Sequence, residues 1–405
     1  MRIKPFKGLV PSQSDIELVA AVPYDVVNTK EARSLAQGNP KSLLNVSRAE
    51  INFDDDIDPY SSQVYERAKT NFNALIEDNV LVRETEPCLY IYRQEMNGHI
   101  QTGIVAVSHV DDYNDNKIKK HEKTRPVKED DRTKLAATLR AHLGPVFLTY
   151  RQSEIINKEV DEFIKANSKN VDFVANDGVR HTTWKVPGGG VFPQLFEKIP
   201  FAYVADGHHR SASAARVSTE FRGKESSELS DQDYEWFLTV FFPDNQLNVL
   251  PYNRVVKDLN GLSEDEFLEK VKELVELTVS DHEPADAVNN TKMYISGRWY
   301  NLKWDKVNDD PVHSLDVSLL QNILLAPVLG ISDPRTDTRI DFIGGIRGNI
   351  EIEKLVNDGT AAVGFSMYPV KVSQLMDIAD NDQIMPPKST WFEPKLRSGL
   401  FIHTF

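Results

Sequence analysis

Asp206-Gly207-His208-His209-Arg210-Ser211 places a carboxylate, a glycine, two imidazoles, a guanidinium and a hydroxyl in six consecutive positions. The apolar run Phe201-Ala202-Tyr203-Val204-Ala205 before it predicts a strand. The Ala-rich stretch from Arg210 to Phe221 after it predicts a helix. A helix that starts directly after a strand presents backbone N–H groups and the positive end of its dipole, which together attract anions. Gly207 lets the backbone approach a ligand, His208, His209 and Arg210 add donors and positive charge, and Arg210 can grip a phosphate through two N–H groups. A plainer reading has Asp206 capping the helix while the histidines pack or face water. A phosphate or nucleotide site is the favoured one.

Three other segments carry residue types that suit phosphoryl transfer. Lys117 to Lys134 is a basic island, and within it His121-Glu122-Lys123-Thr124-Arg125 supplies a carboxylate, cations and a hydroxyl in one loop. Moving a phosphoryl group needs cations around it and a carboxylate to take the acceptor proton or hold a metal. No second histidine stands at helical spacing from His121, so this is not a zinc motif. Asp25 follows the apolar run Val19-Ala20-Ala21-Val22, which predicts a strand ending near a carboxylate that could bind Mg²⁺ or serve as a base. Lys388, Ser389 and Thr390 lie in a tail rich in cations and aromatics that could close over a phosphate or simply dock by burial. The candidate catalytic groups are therefore Glu122, His121, Asp25 and His209. The candidate binding groups are Asp206 to Ser211, Lys123, Thr124, Arg125 and Lys388 to Thr390.

The elements that must position these groups mix helices and strands. Tyr60 to Val82 carries Val64, Ala68, Phe72, Leu75 and Ile76 on one helical face, and Asn97-Gly98 between two apolar runs predicts a hairpin. Helices are expected from Glu129 to Leu143 and Glu154 to Ala166, with strands at Val146 to Tyr150, Phe237 to Phe242 and Val249 to Val256. Ser263-Glu264-Asp265-Glu266 has the pattern of a capping box. Arg339 and Asp341 are expected to pair with each other. A composition shift near Asn260 divides residues 1–258, the phosphate- or nucleotide-binding region, from residues 259–405, a C-terminal α/β region whose terminal loop could return to the site.

Composition sets the class. With 405 residues, 47 basic against 61 acidic groups and a net charge of −14, the chain reads as a soluble α/β protein of more than one domain. The charge argues against coating duplex DNA. No apolar run approaches the ~20 residues of a membrane helix, and no signal peptide is evident, so a cytoplasmic location is expected. The single cysteine, Cys88, sits in a strand-like run and reads as packing. Walker A and dinucleotide fingerprints are absent.

Val204-Ala205-Asp206-Gly207-His208-His209-Arg210-Ser211-Ala212-Ser213-Ala214-Ala215 resembles the strand–helix motif of the superfamily that holds the ParB partition proteins, sulfiredoxin and the free-serine kinases. The chain as a whole resembles a prokaryotic family carried under a domain-of-unknown-function label, number ten-fifteen, also through Pro23-Tyr24-Asp25-Val26, His121-Glu122-Lys123-Thr124 and Met385-Pro386-Pro387-Lys388-Ser389-Thr390. The resemblance implies a mixed α/β fold with a ParB/sulfiredoxin-like nucleotide-binding core, and a nucleotide ligand (ADP, ATP or CTP) with Mg²⁺. It also implies a small phosphorylated metabolite as partner, serine or phosphoserine among the candidates, and homo-oligomerisation as an option. Departures narrow it: no helix-turn-helix pair follows the motif, and His208 stands where sulfiredoxin has its reactive cysteine. The free-serine kinases remain, which implies a phosphotransferase, or a phosphatase with water or ADP as the acceptor. A ParB-like nucleotide switch or interaction module without catalysis is the alternative.

Overall fold

The computed structural model describes residues 1–224, 232–305 and 310–405. They form two compact units of mixed α/β structure. The first comprises Met1–Lys120, Thr124–Leu247 and Pro394–Phe405, and the second His121–Lys123 and Asn248–Glu393.

The first unit is built on a nine-stranded mixed sheet. Its spatial order runs Ile118–Lys119, Ala202–Asp206, Val146–Tyr150, Trp236–Pro243, His99–His109, Cys88–Met96, Arg180–Pro187 and Val171–Val174, with Ile3–Lys4 paired to His99–His109. Asn97 (φ 50°) and Gly98 (φ 80°) join Met96 to its partner His99, the left-handed turn that their residue types allow at least cost. One core packs Leu89, Ile91, Ile104 and Ala106 of the sheet with Phe192 and Phe196. A second packs Val64, Ala68, Phe72 and Leu75 of the Ser62–Glu77 helix with Leu44 and Val46. Cys88 is buried in its strand, and burial pushes its thiol up to about 11, as a packing residue requires.

The C-terminal segment is stitched into this unit at three levels. Ser398 and Ala21 exchange backbone bonds of 2.8 and 3.0 Å, Ile402 and Leu9 exchange bonds of 2.9 Å, and His403–Thr404 pairs with Ala141–His142.

The second unit holds a six-stranded antiparallel sheet, ordered Glu276–Ser280, Arg298–Lys303, Asn290–Ile295, Val363–Ser366, Tyr252–Val256 and Ile340–Gly344. The Gly348–Asn357 helix lays Ile352 against Val255 and Tyr294. A Cβ on Gly364 would sit 2.3 Å from Ile352 Cγ2, so only glycine allows this approach. Ser263 caps the Glu264–Leu274 helix in the expected capping box.

Several local expectations change. Val19 to Val22 is not a strand: Ile16–Val19 forms a single helical turn with Ile16 and Val19 buried, and only Ala21 makes a sheet-like bridge. Asp25 therefore lies exposed in the following turn rather than at a strand end. The Ser62–Glu77 helix stops short of Val82 because Leu81–Arg83 pairs as a strand with Leu9–Pro11. The next helix begins at Pro126, whose missing N–H is harmless in a first turn, and ends at Leu139 with Arg140 left-handed. The run from Val249 to Val256 breaks at Pro251: Asn248–Leu250 pairs with Trp391–Glu393, while Tyr252–Val256 enters the six-stranded sheet. Arg339 pairs with Asp337 at 2.9 Å and Asp258 at 3.3 Å; the Asp341 carboxylate instead accepts the Phe342 N–H.

The first unit buries histidines as neutral groups. His142 packs against His403 and Phe405, its ring nitrogens lack hydrogen-bond partners, and burial pushes its pKa down to about 3. As pH falls below the unfolded value near 6.5, the unfolded chain gains a proton that the folded chain refuses, so stability declines with acid. His142→Phe should flatten that decline by about 1.4 kcal/mol per pH unit between roughly pH 6.5 and 4.5. Urea midpoints across this range check it; parallel slopes for both proteins would contradict it.

Candidate functional site

The Ala202–Asp206 strand pairs antiparallel with Val146–Tyr150, Tyr203 opposite Thr149 and Val204 opposite Leu148, but Asp206 then falls opposite Phe147. One extra residue is thus accommodated at Ala205. Such a bulge bends the strand and re-aims the side chains that follow. Gly207 follows with φ +98°, a conformation that L side chains rarely adopt, and the His208–Lys224 helix starts immediately after it. A Cβ on Gly207 would lie 3.1 to 3.3 Å from the Arg210 guanidinium, so a side chain here would also push Arg210 outward by a few tenths of an ångström. Ser211 is buried, its hydroxyl donating to the carbonyls of Gly207 and His208 at 3.3 and 3.0 Å.

Charge is concentrated on Asp206. Lys395 Nζ donates to its Oδ2 at 3.0 Å and Arg210 Nη2 lies 3.7 Å from Oδ1, with all three side chains largely shielded. Burial would raise the Asp206 pKa, but Lys395 and Arg210 outweigh it and hold the carboxyl well below its usual range. Arg210 also donates to the Pro145 carbonyl. His208 is buried and pushed down to about 4, mainly by desolvation, so it is neutral at pH 7. His209 Nε2 accepts the Arg125 backbone N–H at 3.0 Å, which places the proton of the neutral ring on Nδ1. A strand end, a left-handed glycine, a helix start, two cations and two histidines thus share one location.

Beside Arg210 is a cavity of about 60 Å³, bounded among others by Tyr24, Ser47, Arg132, His142 and Ser213. That is room for roughly four to six water-sized atoms. The Ser47 hydroxyl and Arg210 Nε are buried there without hydrogen-bond partners. Arg132 lies 4.1 Å from the Tyr24 ring, next to exposed Asp25, and is tied to Asp131 at 2.7 Å.

The basic island divides. Thr124 donates to Glu129 Oε2 at 2.6 Å, and Glu129 and Asp130 in turn hold Arg216 at 3.0 and 2.8 Å. Lys120 donates to the Tyr113 carbonyl at 2.8 Å, and Lys128 lies 5.5 Å from the Tyr60 ring. His121, Glu122 and Lys123 group with the second unit, where the His121 carbonyl accepts the Met385 N–H at 2.8 Å. This joins the His121 segment to the tail loop. In that loop Lys388 adopts φ +56° with its ammonium 5.4 Å from the Tyr252 ring, and Ser389 is buried, donating to the Pro386 carbonyl at 2.6 Å, with Thr390 following. Arg254, absent from the candidate groups above, is buried in the second unit's sheet; its signal in the sequence is a lone cation in the strand-like run Tyr252-Asn253-Arg254-Val255-Val256.

Comparison with known proteins gives a family match and distant structural likenesses. The model of a family described as "Protein of unknown function (DUF1015)" matches residues 3–318. No curated protein matches. Among solved structures, a free serine kinase in complex with AMP is similar at 11% identity and TM-score 0.37, covering 71% of this chain and 86% of that one. SbnI with C-terminal truncation from Staphylococcus aureus is similar at 11% identity and TM-score 0.38, covering 73% and 85%. A conserved hypothetical protein from Pyrococcus furiosus is similar at 11% identity and TM-score 0.37, covering 73% and 93%.

Lys395→Met should leave Asp206 without its nearest cation and destabilise the protein by about 1.5–3 kcal/mol. In a double-mutant cycle with Asp206→Asn, urea unfolding should return a coupling above about 1 kcal/mol. Additive effects would show that the contact is incidental.

Proposed function

This chain belongs to the DUF1015 family of proteins of unknown function, and from the geometry around Gly207 we propose that it is a phosphotransferase. In this reading it moves a phosphoryl group between a nucleotide and the hydroxyl of a small metabolite, in the manner of the free-serine kinases that its Asp206-Gly207-His208-His209-Arg210 motif resembles. One observation carries the reading: a bulged strand ends at Asp206 and, through Gly207 at φ +98°, opens directly into a 17-residue helix with Arg210 and Lys395 drawn together over Asp206. Backbone N–H groups at the helix start, the dipole and two cations suit a phosphate chain.

The roles follow from the chemistry. Gly207 and His208 to Ser211 cradle phosphate, with His208 neutral and able to donate. Arg210 and Lys395 offset charge as the phosphoryl group moves, and Asp206 keeps both cations in place until the anion arrives. Glu122 or Asp25 takes the proton of the acceptor hydroxyl as its oxygen bonds to phosphorus and the bridging P–O bond to the nucleotide breaks. His121 and His209 are the remaining candidates for proton transfer, and Lys123, Thr124, Arg125 and the Lys388–Thr390 loop for phosphate contacts. If Mg²⁺ accompanies the nucleotide, the exposed carboxylate of Asp25 suits an ion that keeps its waters and takes one or two carboxylates, supplying further neutralisation.

Titration with ADP, ATP and CTP, followed by phosphate-transfer assays with serine first among the hydroxyl acceptors, tests this. Arg210→Ala should weaken nucleotide binding by about 1.5–3 kcal/mol by calorimetry. Glu122→Gln should abolish turnover while nucleotide affinity stays close to that of the parent. Binding without transfer to any hydroxyl or to water would point to a nucleotide switch instead; unchanged affinity in Arg210→Ala would remove the cradle.

A further inference from the structure

Arg254 lies in the Tyr252–Val256 strand, paired across the sheet with Phe342 and Phe365, and is 2% exposed. Its guanidinium lies 5.6 Å from the Phe342 ring, and Nη2 reaches the Pro387 carbonyl at 3.5 Å, the outer limit of a hydrogen bond. Nη1 is buried with no partner, and among the described residues no carboxylate pairs with Arg254. Burial lowers its pKa to about 10, which still leaves it charged at neutral pH.

A buried, unpaired guanidinium is costly, and a sheet interior gains nothing from it that an apolar residue would not supply more cheaply. The neighbours Val255 and Val256 show what packing alone selects there. A second cation stands on the same side: Tyr252 and Arg254, two residues apart, share a face of the strand, and the Lys388 ammonium sits over the Tyr252 ring at 5.4 Å. Lys388 reaches that place through a left-handed backbone, φ +56°, in a loop closed by the Ser389-to-Pro386 bond. A buried donor left without a partner calls for an explanation such as a bound ion or ligand, and a strained residue beside it is a feature ligand clamps share.

We propose that Arg254 and Lys388 form an anion-binding site in the second unit that takes a compact oxyanion, the phosphate or carboxylate group of a small ligand. Arg254 Nη1 donates the directional hydrogen bonds and Lys388 adds charge from the loop. Lys388 is also a candidate phosphate contact in the transfer reaction proposed above, but Arg254 has no part in that reading, so the Arg254 variants decide this site independently of the cradle at Gly207.

The experiment uses the full-length protein carrying Arg210→Ala, which weakens any anion binding at the cradle. Inorganic phosphate and acetate are titrated in turn at constant ionic strength, followed by calorimetry and thermal shift. Saturable binding of either anion is expected, and which one binds better identifies the group. Adding Arg254→Met should weaken that binding about tenfold or more, as expected on losing a charge-assisted hydrogen bond. The ligand-free melting temperature should stay level or rise because a buried unpaired charge has gone. If Arg254→Met does not fold, Arg254→Lys, which keeps charge but loses the planar fork, should bind several-fold more weakly, and Lys388→Met should do likewise. No saturable binding of either anion, or equal affinity with and without Arg254, overturns the site, as does a large loss of ligand-free stability in Arg254→Met with binding unchanged.

Discussion

The ion pair between Lys395 and Asp206 joins positions 189 residues apart and sets the character of the first unit's site. It is possible only because Pro394–Phe405 returns to that unit, held by backbone exchange with Ala21, by Leu9 and by the strand at Ala141–His142. Without that return Asp206 would end a strand beside Arg210 alone, at 3.7 Å. With it, a largely buried carboxylate stays ionised and keeps two cations at the start of a helix. Each of these charges already has a partner. In the proposed reading, Arg210 and Lys395 are thereby held where an incoming anion would meet them with little reorganisation.

Backbone geometry does the other half of the positioning. The extra residue at Ala205 turns the end of the strand, and Gly207 takes the reversal that no larger residue would adopt without strain. The Arg210 guanidinium sits close over Gly207, within 3.1 to 3.3 Å of where a Cβ would lie. The same motif therefore carries both the close approach of the backbone and its cation. His208 is kept neutral by burial, whereas His209 is oriented by a backbone N–H, so different contacts fix the two adjacent histidines.

Several shielded cations have a carboxylate beside them in both units: Arg397 with Asp177 and Arg132 with Asp131 in the first, Lys292 with Asp281 at 2.6 Å in the second. Among the described residues Arg254 is buried without one. A paired buried charge is compatible with a purely structural role, whereas an unpaired one is costly.

The strand, the glycine turn and the helix around Asp206 to Ser211 were legible in the sequence, as were the Asn97-Gly98 hairpin, the capping box at Ser263 and the packing role of Cys88. Each depends on neighbours close in the chain: hydrophobic period, turn chemistry and helix-start residues act over a few positions. The mixed α/β class follows from the same local patterns. Tertiary structure alone decided that Ala205 bulges, that Lys395 meets Asp206, that Val19 to Val22 turns rather than pairs, and that Pro251 divides one apolar run between two sheets. It also divided the basic island, tying Thr124 to Glu129 in the first unit while His121 bonds to Met385 in the second, and it buried Arg254 with no counter-charge. Apart from the short-range Thr124–Glu129 bond, these outcomes come from contacts between residues far apart in the chain, or from which strand is available to pair, and such contacts leave no periodic trace in the chain.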